Sequence, residues 1–181
     1  GDPYFLAAMT IGMHHPFAVP LTHPDVQSLK AEPDGYLAAL RYLDLELERV
    51  LTGMKRDGLL KDTVVLILGD HGRHEKVGQT DFEKQAGHFM TPLFLWVDDT
   101  LREPGTYRPR TVTAVASQVD LLPTILGLNG VAPRLSPSVG HDLSCLLVSD
   151  CVQDNMAFLS SVYDDLIGLA SETEAPNDLR R

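Results

Sequence analysis

The chain has 181 residues, 44% hydrophobic and 22% charged, a composition that fits one ordinary globular domain rather than a disordered chain. A formal net charge of −10 argues against non-specific binding to nucleic acid or to an anionic membrane surface, yet leaves an anionic substrate open, because a bound cation can reverse the local field. No apolar run is long enough to cross a bilayer and no secretory signal opens the chain, while Gly1-Asp2-Pro3-Tyr4 reads as a start inside something longer.

Phe5 to Ile11 is a first apolar segment, predicted as a buried strand ending at Gly12-Met13-His14-His15-Pro16-Phe17. Pro20, Pro24 and Pro33 mark a loop after it. From Asp34 to Met54 apolar residues recur at helical spacing, among them Leu40, Leu43, Leu47 and Leu51, with Arg41, Glu48 and Arg49 on other faces. Asp34 or a neighbour is expected to cap its start. Asp57-Gly58 and Lys61-Asp62 link this helix to Thr63–Leu68, a charge-free apolar run predicted as a strand buried on both faces, as in a parallel sheet covered by helices. A helix followed by such a strand is the repeating half of an α/β fold.

The strand ends in Gly69-Asp70-His71-Gly72. Ligands of parallel sheets sit beyond the carboxyl ends of strands, where Asp70 and His71 fall. Adjacent side chains diverge while a strand lasts; leaving it at Gly72 lifts that rule, so a carboxylate oxygen and a ring nitrogen can meet one divalent ion. The alternative is an aspartate capping a loop beside a solvent-exposed histidine.

A polar loop from Arg73 to Gly87 precedes Pro92–Val97, predicted as a third strand with proline in its tolerated first position. Ser117-Gln118-Val119-Asp120 has the form of a capping box, opening a helix through Leu126 with Pro123 near its first turn and Asn129-Gly130 at its end. Ala157 to Ala170, broken by Asp164-Asp165, reads as a small hairpin, and residues 171–181 as a frayed polar tail. Cys145 and Cys151 form either a local disulfide or two separate thiols, Cys145 then being buried beside Leu146 and Leu147. Without a second cysteine pair their spacing does not suggest zinc.

Taken in order, these pieces resemble the alkaline-phosphatase superfamily, which includes sulfatases, phosphoglycerol transferases that build lipoteichoic acid, and phosphoethanolamine transferases. His14-His15-Pro16-Phe17 is similar to its His-x-Pro-Phe element, and Tyr36 to Val65 to the helix and strand before its metal motif. Gly69-Asp70-His71-Gly72 is similar to the metal motif, Thr91-Pro92-Leu93 to the next strand, Gln118 to Thr124 to a hallmark helix and Gly140-His141-Asp142-Leu143 to a later turn. The resemblance covers most of the chain. It implies a doubly wound, mostly parallel α/β sheet flanked by helices, with the C-terminal hairpin appended, and only the carboxyl-terminal part of a catalytic domain. The stretch from Tyr36 to Gly72 looks closest to the phosphoglycerol-transferase type, with the sulfatase type close behind.

In this family an upstream strand supplies the first acidic ligands and a short helix the nucleophile: Thr, Ser or a cysteine-derived formylglycine. Nothing here matches them. Thr10 stands too late for the nucleophile, as do Cys145 and Cys151 for the formylglycine, so the isolated chain is expected to be inactive. The resemblance implies that Asp70 and His71 ligate one divalent ion, manganese or zinc by their mixed donors, or calcium in a site richer in carboxylates. His14 is expected to contact the transferred anionic group of a sulfate or phosphate ester, or nearby substrate, against a structural histidine packed beside Pro16, and His15 to face outward. His88 is expected as a substrate contact or extra ligand, against a plain surface imidazole. Arg73 and His74 could meet an anion; His23 and His141 are expected to be solvated, Phe94 and Trp96 to lie in the core, and Asp120 to cap its helix. The family implies a periplasmic or extracellular setting, with any membrane attachment through upstream segments. The rival reading is a degenerate, non-catalytic binding or structural domain. A cofactor-independent phosphomutase relative would need further metal histidines, for which only His88 could serve.

Overall fold

The structure is a computed structural model, and it describes residues 3–20, 22–27, 35–72, 79–80, 84, 87–102, 109–131, 139–148, 156–161 and 166–171. It divides into two compact units, Gly1–Thr63 and Val64–Arg181.

In the first unit, the segment predicted as a buried strand is irregular and exposed: Phe5 is 81% accessible and Met9 84%. Its apolar pattern is right for a strand, but a strand needs a neighbour for its backbone groups, and it has none among the described residues. The chain then turns tightly, with Phe17 N–H donating to the His14 carbonyl at 2.9 Å. Inside the expected loop lies a one-turn helix, α1 (Pro24–Gln27), which starts on a proline that lacks an N–H the first turn does not use. Its Val26 is fully buried. The amphipathic helix α2 (Tyr36–Arg56) follows Gly35, close to the predicted bounds; Asp34, its expected cap, lies outside the described residues. α1 packs against α2, whose most buried positions are Ala38 and Ala39. Of the apolar stripe, Leu43, Leu47 and Leu51 are half-buried and Leu40 is exposed.

In the second unit, β1 (Val64–Leu68) and β2 (Leu93–Val97) pair antiparallel, Leu66 opposite Leu95. The parallel order expected from the apolar run is thus not found among the described strands, and β1 is half-buried rather than covered on both faces. An apolar run signals a strand but carries no direction. Here the ends of the connection converge, Gly72 N–H donating to the His88 carbonyl at 2.8 Å, so the chain returns antiparallel. Phe94 and Trp96, expected in the core, are 64% and 40% exposed, whereas Val97 is buried. Alternation along β2 puts Phe94 and Trp96 on one face and Val97 on the other.

The predicted capping box is present: a single 3₁₀ turn (Gln118–Asp120) runs into α3 (Leu121–Leu128), with Ser117 N–H donating to Asp120 Oδ2 at 2.7 Å. Asp120 is only 4% exposed, and its second oxygen accepts the His141 N–H at 2.8 Å. The Thr124 hydroxyl donates to the Asp120 carbonyl and accepts the Leu143 N–H, so the 141–143 turn is sewn to the start of α3. α3 closes in a Schellman arrangement: Val131 N–H reaches the Leu126 carbonyl and Gly130 N–H that of Gly127, both at 2.9 Å. Leu146, in the 3₁₀ turn Ser144–Leu147, is buried, and Cys145 beside it is disulfide-bonded. Cys151 lies outside the described residues.

The C-terminal hairpin forms as predicted, β3 (Met156–Ser161) antiparallel to β4 (Leu166–Ser171), Phe158 opposite Leu169. Asp164-Asp165 and the 172–181 tail fall outside the described residues. The Ser117 hydroxyl donates to the Phe158 carbonyl at 2.9 Å, tying the hairpin to the capping box.

Candidate functional site

The loop leaving β1 carries Asp70 and His71, with side chains 76% and 59% exposed. Asp70 Oδ1 accepts the His71 N–H at 3.0 Å, an aspartate turning the chain back on itself where the strand stops. The His71 ring sets its own tautomer. Nδ1 lies 2.8 Å from the Gly72 carbonyl oxygen, which can only accept, so Nδ1 carries the proton and Nε2 is the basic nitrogen. Nε2 stands 3.6 Å from Asp70 Oδ2.

Two electron-rich atoms aimed at one region suit a cation. Donors each about 2.0–2.2 Å from a common ion can be no more than about 4.4 Å apart, and the pair falls inside that reach. A histidine ligand whose other ring nitrogen donates to a backbone carbonyl is also the usual outer-shell arrangement of metal sites. The donor chemistry therefore fits a divalent ion. Among the described residues no group of three or more His, Cys, Asp or Glu side chains surrounds a single point.

Gly72 lets this loop close. A Cβ there would overlap the carbonyl oxygens of Gly87 and His88. That contact brings His88 to the same loop through its backbone; its ring is half-buried. His14 belongs to the first unit, is exposed, and has Nδ1 2.8 Å from the His15 carbonyl. The exposed ring of His15 contacts Phe17 edge to face. Arg73 and His74 lie outside the described residues.

His23 is not solvated as expected: Nδ1 is buried without a hydrogen-bond partner among the described residues, and its ring meets Tyr42 of α2 edge to face. The cause is α1, which starts at the next residue and packs on α2. The His141 ring is 53% exposed, but its backbone is held by Asp120. Asp120 caps as expected. A residue without any predicted role enters the site from α3's side: the Gln118 carboxamide nitrogen lies 3.0 Å from the Gly69 carbonyl oxygen and 2.6 Å from that of Asp70. No local signal in the sequence announces a contact across that separation.

Helices and strand pairs, with an acid and an imidazole where a strand ends, define an α/β protein with a candidate cation site. Within that class the chain belongs to the sulfatase family, whose model matches residues 1–131. It is 32% identical over 150 residues to the lipoteichoic acid synthase of Staphylococcus saprophyticus, a match covering 78% of this chain and 23% of that protein. The lipoteichoic acid synthase of Staphylococcus aureus is 30% identical over 149 residues, with the same coverage. The chain thus spans 23% of the length of these relatives.

Proposed function

We propose that the chain is the metal-binding, carboxyl-terminal part of a hydrolase or transferase acting on sulfate or phosphate esters, of the phosphoglycerol-transferase type. The Asp70–His71 pair carries this reading: two side chains 3.6 Å apart at the end of β1, the imidazole oriented by the Gly72 carbonyl. Similarity to lipoteichoic acid synthases favours the phosphoglycerol-transferase type within the sulfatase family.

Asp70 and His71 would hold the ion, which when bound acts as a Lewis acid toward an anionic ester oxygen. Asp70 supplies charge and His71 its Nε2, and the bond between Nδ1 and the Gly72 carbonyl orients the ring. The role proposed for His14 is a hydrogen bond to an oxygen of the transferred group. His88 is proposed as a second substrate contact. The nucleophile and the first acidic ligands are proposed to come from residues this chain does not contain, within a doubly wound sheet. An extracytoplasmic setting is proposed as well; the bonded Cys145 supports it, since disulfides persist where the surroundings are oxidising. Among the described residues no helix is long and apolar enough to cross a membrane; attachment through upstream segments is part of the proposal.

The test is Mn²⁺ titration of the chain followed by paramagnetic broadening of backbone amide signals. Broadening centred on His71 is expected at substoichiometric Mn²⁺ and is lost in Asp70→Asn and in His71→Ala. An ion that leaves these signals sharp, or broadens them equally in both variants, overturns the proposal and favours the non-catalytic reading. Competition between glycerol phosphate and an aryl sulfate for the loaded protein separates the two ester classes.

A further inference from the structure

We infer that Gln118 is a positioning residue of this site: its carboxamide clamps the backbone from which Asp70 and His71 project. The inference rests on the reading of those two residues as ion ligands. Successive carbonyls of an extended strand point to opposite sides, so one side chain cannot bond two in a row while the strand lasts. Gln118 Nε2 does so, at 3.0 Å from the Gly69 oxygen and 2.6 Å from the Asp70 oxygen. The two carbonyls converge because the chain has left β1 at Gly69.

A primary amide suits this task. Both carbonyls are acceptors, and the NH₂ group offers one hydrogen to each. Holding both fixes the peptide plane between Asp70 and His71, and with it the directions in which the two side chains leave. The Asp70 Oδ1 bond to the His71 N–H and the His71 Nδ1 bond to the Gly72 carbonyl are made inside the loop and cannot fix it to the rest of the unit. Backbone bonds from Gly69 N–H to the Pro92 carbonyl and from Gly72 N–H to the His88 carbonyl hold the loop's two ends, and Gln118 supplies a side-chain anchor at the Gly69 and Asp70 carbonyls between them. It is itself held: Ser117, next to it, is bonded to Asp120 and to the Phe158 carbonyl of β3. The 3₁₀ turn before α3 thus acts as a fixed post for the loop.

The experiment compares the wild-type chain with Gln118→Ala and Gln118→Glu by Mn²⁺ titration and by backbone amide hydrogen exchange. Gln118→Glu keeps the size but, ionised, offers no proton to the two carbonyls, so it separates hydrogen bonding from packing. Both variants are expected to bind Mn²⁺ about tenfold or more weakly, as loss of an outer-shell partner does. Exchange at His71 and Gly72 is expected to rise several-fold, with the α3 amides unchanged. Wild-type Mn²⁺ affinity and exchange in both variants would overturn the inference while leaving the ion site standing. Faster exchange spread uniformly over α3 and the hairpin also overturns it, because Gln118 would then serve general stability. A wild-type chain that binds no Mn²⁺ overturns the ion site, and this inference with it.

Discussion

Gln118 and Asp70 stand 48 positions apart in the chain, yet the carboxamide nitrogen of one lies 2.6 Å from the carbonyl oxygen of the other. That bond joins the loop at the end of β1 to the turn that opens α3. One residue earlier, Ser117 reaches the Phe158 carbonyl, 41 positions further on. Neighbouring residues of one capping box thus hold both the candidate site and the C-terminal hairpin.

Replacing Gly72 with alanine should open the loop. The added methyl would overlap the Gly87 and His88 carbonyls, so the Gly72–His88 backbone bond must break or lengthen. The expected cost is about 2 kcal/mol or more, from overpacking plus a lost hydrogen bond. Urea denaturation reads the stability, and Mn²⁺ titration of the same variant should show weaker binding.

Asp120→Ala should rank among the most damaging single changes in the second unit. It leaves the Ser117 and His141 N–H groups without their acceptor at a nearly buried position. Bonds to a charged acceptor contribute about 1.5–3 kcal/mol each, so a loss of about 3 kcal/mol is expected. Asp120→Asn keeps one acceptor oxygen and should recover part of it. Equal stability of the aspartate and alanine forms in urea would contradict this account.

The burial pattern of β2 makes a paired forecast. Val97→Ala empties space in a buried position and should cost about 2 kcal/mol. Phe94→Ser, on the exposed face, should stay within about 0.5–1 kcal/mol. If Phe94 proved the costlier of the two in thermal melts, the faces of β2 would have to be exchanged.

Gly130 closes α3 at φ 71°, a conformation in which a Cβ crowds the following carbonyl. Gly130→Ala should lower stability by about 1 kcal/mol, since open space surrounds the position and only the backbone objects. A circular-dichroism melt of the variant checks it.

Elements whose signals lie within a few residues were legible in the chain alone. α2 announced itself by apolar spacing, α3 by Ser117, Asp120 and Asn129-Gly130, and the hairpin by two apolar segments either side of Asp164-Asp165. Helix bonds and caps close over three or four positions, so sequence and structure share one length scale. Asp70 and His71 are neighbours in the chain, and the turn that sets their side chains 3.6 Å apart is just as local.

Pairings across long separations were not. Phe5–Ile11 has the composition of a strand without a strand's neighbour among the described residues, and the direction of β1 against β2 is visible only in their register and in the Gly72–His88 bond. Phe94 and Trp96 are exposed because burial depends on what covers a face, which an apolar residue does not specify. The Gln118 clamp belongs with these. A glutamine in a helix's first turn has no local reason to be a donor to a distant loop, and folding alone brings the two within 3.0 Å. Short-range hydrogen bonding wrote the motifs; closure of the chain over dozens of residues chose what each motif touches.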